Sequence, residues 1–243
     1  MNPIATTNRT ALITGASSGI GKATALAFAK AGINLALVGR SEEKLAAVAA
    51  AAIAVGVTAK TYVVDLSKLD RVATKIAAIA ADFDNLDILI NNAGMAYTGT
   101  VGDTPLTDWQ RVIDLNLTSV FLCIQGILPQ MRRQKSGVIV NISSIASKQV
   151  FPNWGIYSVS KYGLTALTQA VAGEERANGI RVTTICPGSV NTPLWDTDTV
   201  QADFDRSAML TPEMVADGIL YAVLAPAGAV VEELTIMPSG GAL

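Results

Sequence analysis

Apolar residues along this chain gather in short unbroken runs, separated by longer stretches in which they return every three or four positions. The short runs read as strands over residues 10–14, 33–38, 61–64, 86–90, 137–142, 180–185 and 233–236. The longer stretches predict helices over about 20–31, 42–55, 69–81, 107–133, 157–177 and 212–224. Strands without polar alternation are buried on both faces, as in a parallel sheet covered by helices. The alternation continues with no Pro- or Ser-rich linker, so one doubly wound α/β domain of about seven strands is expected over residues 1–243. A long irregular stretch at 188–210 breaks the pattern and is read as a lid, since loops of this length in compact domains are often functional.

Composition narrows the field. Half of the residues are hydrophobic and 16% are charged, which supplies a core and argues against disorder. A net charge of −2 gives no electrostatic reason to expect nucleic acid or an anionic membrane. The longest apolar run, 46–55, is mostly Ala and too short for a bilayer span; residues 1–10 lack the pattern of a secretory signal. Cys123 and Cys186 show no CxxC spacing and read as small buried residues in a reducing, cytoplasmic setting. Histidine is absent, which removes His general bases, Ser-His-Asp triads and most zinc sites. No metal is expected.

The turn Thr14-Gly15-Ala16-Ser17-Ser18-Gly19-Ile20-Gly21 follows the first strand and opens the first helix. Glycines there let backbone approach a ligand, and the helix start offers free N–H groups to a diphosphate. Gly15 to Gly19 also spells the hydrolase elbow GxSxG, but that nucleophile needs a histidine. A phosphate-binding Walker loop fails as well, with Ala16 in place of its first Gly and Ala23 in place of the magnesium-binding Ser or Thr. A Rossmann-type dinucleotide site remains. Where the second strand ends, NAD-binding folds carry an acidic residue for the ribose hydroxyls; here stand Gly39 and Arg40. Arg40 would attract a 2′-phosphate and Ser41 could assist, so NADP(H) is favoured over NAD(H). Glu42 and Glu43 pull the other way.

Tyr157 and Lys161 stand four apart at the start of a predicted helix and so share a face. An ammonium beside a phenol favours the phenolate, which suits Tyr157 to exchanging a proton with an alcohol or carbonyl. Ser144 lies just beyond the fifth strand, at the cofactor crevice of an open α/β sheet.

Together these residues carry a resemblance. The chain resembles the single-domain short-chain dehydrogenases/reductases in Thr14-Gly15-x3-Gly19-x-Gly21, Asp65, Asn91-Asn92-Ala93-Gly94, Asn116, Ser144, Tyr157-x3-Lys161 and Pro187-Gly188 with Thr192. The resemblance implies that Gly15, Ser17, Ser18, Gly19, Ile20 and Gly21 hold the diphosphate, and that Asp65 and Leu66 contact the adenine. Asn92, Ala93 and Gly94 would close over the adenosine side; Pro187, Gly188, Val190 and Thr192 would position the nicotinamide. Tyr157 would be the general acid/base. Lys161 would hold the nicotinamide ribose and lower the Tyr157 pKa. Ser144 would polarise the substrate carbonyl, and Asn116 would bind a water in a proton relay to Lys161.

The activity so implied is hydride transfer between a nicotinamide and a small-molecule carbonyl or secondary alcohol. Two other readings are an NAD-using epimerase or dehydratase, usually longer, and a catalytically silent NAD(P)-sensing protein, against which the retained Ser144, Tyr157 and Lys161 argue. For the substrate, Ala146, Val150, Trp154, Trp195 and Met95 are expected to line a mainly apolar, fairly open pocket beside Ser144, with Phe204 and Met209 on the lid. Family members that reduce acyl-carrier substrates use basic residues at the active-site mouth; Arg132, Arg133 and Lys135 are candidates, opposed by Glu174 and Glu175. The resemblance also implies a homotetramer (or dimer) built through the two long helices.

Overall fold

The computed structural model describes residues 9–202 and 205–241, within which the apolar runs form one sheet of seven parallel strands. The strands are β1 (Thr10–Thr14), β2 (Asn34–Gly39), β3 (Ala59–Val63), β4 (Ile88–Asn91), β5 (Gly137–Ile142), β6 (Ile180–Pro187) and β7 (Glu233–Ile236). The helices are α1 (Gly19–Lys30), α2 (Glu42–Ala54), α3 (Leu69–Ala81), α4 (Leu106–Ile113), α5 (Ser119–Gln134), α6 (Gly155–Glu175) and α7 (Pro212–Val223). Strand order is β3-β2-β1-β4-β5-β6-β7. The chain winds outward from β1 to β3, then returns to lay β4 on the other side of β1. That reversal opens a crevice at the carboxyl ends of β1 and β4.

The period of two along each strand explains why the runs are unbroken. Ala11 and Ile13 of β1 face Phe28 of α1, Leu45 of α2 and Ile219 of α7. Leu12, between them, faces the opposite layer, with Ile76 of α3, Ile127 of α5 and Leu164 of α6. Both faces of an inner strand are thus consumed by core, and polar alternation has no place. The edge strands depart from this expectation: Lys60, Thr61 and Val63 of β3 and Glu233 and Thr235 of β7 are exposed. Cys123 and Cys186 are both buried.

Boundaries moved where local signals were weak. β3 begins two residues before the predicted start, and β4 runs on to Asn91 because Asn91 pairs with Asn141 of β5. The helix predicted over 107–133 is not uniform: a π-helical turn, Asp114–Thr118, joins α4 to α5 and carries the buried Asn116. The continuous segment Leu106–Gln134 is long and apolar enough to cross a membrane by length and composition. Here its inward residues Cys123, Ile124, Ile127 and Met131 belong to the core shared with α3 and the sheet, which accounts for their character.

Candidate active site

The turn between β1 and α1 is held open by glycine and fastened by asparagine. Gly15 and Gly19 have φ of 66° and 52°, a region that side chains disfavour. A Cβ on Gly21 would sit 2.3 Å from the Gly15 carbonyl oxygen and 2.5 Å from Asn92 Nδ2, so Gly21 serves close packing beneath the turn. Asn92 Nδ2 donates to the carbonyls of Thr14 (3.0 Å) and Gly15 (3.3 Å), while Thr14 Oγ1 accepts from the amides of Asn92 (3.0 Å) and Ala93 (3.1 Å). These bonds tie the glycine turn to the end of β4. Ser18 at the head of α1 makes no side-chain cap, and the first amides of that helix look into the cleft beside Ser17, Gly19 and Ile20.

The cleft has a volume of about 730 Å3 and runs along the carboxyl edge of the sheet. One end is bordered by Arg40, Ser41 and Lys44 after β2 and by Asp65, Leu66 and Ser67 after β3. The Ser41 hydroxyl caps α2 by accepting from the Lys44 amide at 3.4 Å. Asp65 accepts from the Ser67 amide (3.0 Å) and hydroxyl (2.8 Å); these bonds, with Arg40 and Lys68 nearby, hold its carboxyl below the usual range. Lys44 was not singled out in the sequence, although it lies in the first turn of α2, four residues after Arg40.

At the other end α6 presents Tyr157 and Lys161 on one face, opposite Ser144 at the exit of β5. The Ser144 hydroxyl accepts from the Ala146 amide at 3.1 Å and hydrogen-bonds Tyr157. Lys161 Nζ donates to the Ile142 carbonyl at 2.9 Å and lies 5.6 Å from the centre of the Tyr157 ring. Burial pushes the Tyr157 phenol up to about 12 against the pull of the Ser144 bond, and burial brings the Lys161 ammonium down to about 8. Desolvation, the larger cause, raises the Tyr157 pKa above its ordinary value, where the sequence led to the expectation that Lys161 would lower it. A phenol so placed keeps its proton at neutral pH.

Asn116 lies behind this group and does not line the cleft. Its Oδ1 accepts from the Met95 amide at 2.8 Å; its Nδ2 donates to the Met95 carbonyl at 2.8 Å and to Ser160 Oγ at 3.0 Å. Ser160 in turn donates to the Tyr157 carbonyl at 2.7 Å. The π turn aims Asn116 between the loop after β4 and the first turns of α6, and Ser160 is a link the sequence reading missed.

Pro187, Gly188, Val190 and Thr192 follow β6 into the cleft wall, together with Ser189, whose buried hydroxyl has no partner among the described residues. Thr192 rests against Gly19, where a Cβ would meet its methyl at 3.2 Å. The ends of the 188–210 segment are zipped by the Val190–Leu210 bridge, and Arg206 clips its start through Asn191 (2.9 Å) and the Thr192 carbonyl (3.0 Å). Trp195 Nε1 donates to the Val190 carbonyl at 2.7 Å. Its ring packs edge-on against Trp154 at 5.8 Å, and Trp154 against Tyr157 at 5.6 Å. Phe204 lies outside the described residues.

Ala146, Met95, Trp154 and Trp195 line the cleft as expected, but Val150 does not. It is 60% exposed and borders a separate outer hollow with Val101, Trp109 and Tyr162, while the next residues, Phe151 and Pro152, turn inward. The basic cluster is also misplaced as a mouth. Arg132, Arg133 and Lys135 close α5 just before β5 begins, at the sheet edge opposite Ser144. Arg132 is committed to the buried Glu175 at the far end of α6, about 27 Å along the helix from Tyr157 at 1.5 Å per residue.

A model of the short chain dehydrogenase family matches residues 9–202. A 3-oxoacyl-[acyl-carrier-protein] reductase of Synechocystis sp. is 37% identical, with 98% of each chain covered. Among solved structures, a metagenomic short-chain oxidoreductase in complex with NADP is 30% identical with a TM-score of 0.84, covering 97% of this chain and 99% of that one. An alcohol dehydrogenase of the archaeon Thermococcus sibiricus, complexed with 5-hydroxy-NADP, is 27% identical with a TM-score of 0.87, covering 95% and 97%.

Proposed function

The chain belongs to the short-chain dehydrogenase family, and from that premise we propose that it is an NADP(H)-dependent oxidoreductase interconverting a carbonyl compound and a secondary alcohol, with Tyr157 as the proton-transfer group. The observation that carries this reading is the convergence of Ser144, Tyr157 and Lys161 at one end of a cleft whose other end holds Arg40 and Lys44. The glycine turn and the uncapped start of α1 lie between them.

The residues present fit a dinucleotide. Gly15 and Gly19 adopt φ values that bring backbone to the ligand, a Cβ at Gly21 would collide with the turn, and the orphaned Ser189 hydroxyl suits a polar group at the nicotinamide end. Ser17, Ser18, Gly19 and Ile20 would hold the diphosphate at the helix start. Arg40, helped by Ser41 and Lys44, would hold a 2′-phosphate by charge-assisted hydrogen bonds. Two solved relatives named as NADP complexes agree with that preference. When bound, the dinucleotide supplies or accepts the hydride.

The chain's own residues manage the carbonyl oxygen. Ser144 and Tyr157, which share this end of the cleft, would each turn a hydroxyl to it and form a two-donor site. Tyr157 gives its proton to the oxygen as negative charge develops there; its high pKa keeps it loaded for this at neutral pH. Lys161, fixed by the Ile142 carbonyl, supplies positive charge that grows in value as the phenolate forms. Asn116 acts as a positioning residue, bracing the loop after β4 against α6 through Met95 and Ser160. Segment 188–210 serves as the lid, pinned to Tyr157 by the Trp195–Trp154 contact.

The test is NADPH consumption across ketones, ketoesters, diketones and acyl thioesters, repeated with NADH. Reduction of at least one class with NADPH preferred is expected. Dinucleotide binding with no turnover of any carbonyl or alcohol would leave only a sensor.

A further inference from the structure

Charge is distributed unevenly along the cleft. Among the described residues its charged liners are Arg40, Lys44, Asp65 and Lys161. Arg40 and Asp65 lie just after β2 and β3, Lys44 is in the first turn of α2, and Lys161 donates to the Ile142 carbonyl at 2.9 Å. The wall around Ser144 and Tyr157 includes Ile145, Ala146, Phe151, Pro152, Trp154 and Trp195, and its polar members there, such as Thr197, are uncharged. Neither Lys148 nor Arg206 lines the cleft, and each is paired, Lys148 with Glu233 at 2.6 Å and Arg206 with Asp196. A carboxylate or phosphate brought there would lose water and gain no counter-ion, a cost that burial of an unpaired charge always carries.

Three aromatic rings shape the same space. Trp154 stands edge-on to both Tyr157 and Trp195, with centroids 5.6 and 5.8 Å apart. The Trp195 ring is oriented by its bond to the Val190 carbonyl at 2.7 Å. Rings that prefer edge-to-face and offset contacts offer a flat apolar substituent a place beside the carbonyl.

Resting on the reductase reading above, we propose that the substrate is an uncharged ketone bearing an aromatic ring next to or near its carbonyl, preferred over ketones that carry a negative charge there. The carbonyl carbon accepts the hydride from NADPH, which is oxidised to NADP+. The oxygen accepts the Tyr157 proton, which solvent restores, and the product is the neutral secondary alcohol.

The experiment compares a matched pair, methyl 4-acetylbenzoate and 4-acetylbenzoate, as ketones for NADPH oxidation at neutral pH, with acetoacetyl-coenzyme A as a third arm. It also measures tryptophan-fluorescence quenching of the NADP+-loaded protein by methyl benzoate and by benzoate, which react with nothing. The ester is expected to exceed the acid in kcat/KM by about 100-fold or more, to exceed the thioester likewise, and its analogue alone to quench. Trp195→Ala is expected to remove the advantage of the aryl ester over 2-octanone, and Trp195→Phe to keep it. Equal use of ester and acid, or preference for the thioester, overturns the substrate class while leaving the reductase reading intact. Selective quenching by methyl benzoate without any reduction supports the ligand class and overturns the reductase reading. Quenching by neither analogue, with no ketone reduced, overturns both.

Discussion

Lys161 and Tyr157 occupy successive turns of α6, and the lysine Nζ lies 5.6 Å from the centre of the tyrosine ring while bonded to the Ile142 carbonyl at 2.9 Å. Because burial brings Lys161 down to about 8 and takes Tyr157 up to about 12, the lysine is the group that titrates first as the solution is made alkaline. The kcat/KM for carbonyl reduction is expected to be level below pH 7 and to fall through about pH 8 as Lys161 loses its charge. A profile that stays level to pH 9.5 would contradict this. Stability carries the opposite sign for the lysine. Unfolded lysine titrates near 10.4, so the unfolded chain binds more protons between about 8 and 10.4 and the Lys161 contribution to stability rises over that window. Tyr157, raised above its unfolded value of about 10, contributes fully below that pH and loses its contribution toward 12. Denaturant titrations of wild type and Lys161→Met across pH 7 to 10 measure this: wild type should gain stability relative to the variant as pH rises from about 8 to 10.

Arg40 borders the adenosine end of the cleft beside Ser41 and Lys44. Arg40→Ala is expected to weaken NADPH binding by roughly 10- to 100-fold, the value of a charge-assisted hydrogen bond to phosphate, and to leave NADH binding nearly unchanged. Calorimetric titration with each dinucleotide decides the point; equal losses for both would assign Arg40 a structural role instead.

Gly21 has no room for a side chain, since a Cβ would lie 2.3 Å from the Gly15 carbonyl oxygen. Gly21→Ala is expected to cost about 1–3 kcal/mol of stability, as overpacking does, and to weaken dinucleotide binding by displacing the turn. Thermal unfolding with and without NADPH reads both effects. An unchanged melting temperature would mean the turn relaxes freely.

Much of this architecture was legible from the chain. The inner strands announce themselves because both faces are buried, and the glycine turn because Gly15 and Gly19 adopt positive φ while Gly21 must pack against the Gly15 carbonyl. Tyr157 and Lys161 could be paired from helical spacing alone. What could not be read depends on direction and distance. Val150 and Phe151 are adjacent apolar residues of one loop, and nothing in their order tells which faces the cleft. Ser160 is one hydroxyl among many until the π turn brings Asn116 to it. The Arg132 cluster looked available because the sequence does not show that α5 ends at the opposite edge of the sheet from Ser144. The sign of the Tyr157 shift required knowing how deeply the hydroxyl is enclosed.

Large apolar side chains stand on the outer faces of the two long helices: Phe121 is 42% exposed, Val159 47% and Tyr162 42%. Self-association through this surface, the assembly implied by the family resemblance, would bury them. Sedimentation at micromolar concentration is expected to show a dimer or tetramer, and Val159→Asp with Tyr162→Asp to dissociate it. A wild-type monomer would remove the expectation.

The most direct test is Tyr157→Phe, which deletes one hydroxyl and keeps the ring that Trp154 packs against. NADPH affinity of the variant should match wild type by calorimetry, while kcat for ketone reduction should fall by about a hundredfold to ten-thousandfold, the range of a lost general acid. Turnover within a few-fold of wild type, with the dinucleotide bound normally, would contradict the assignment of the proton to Tyr157.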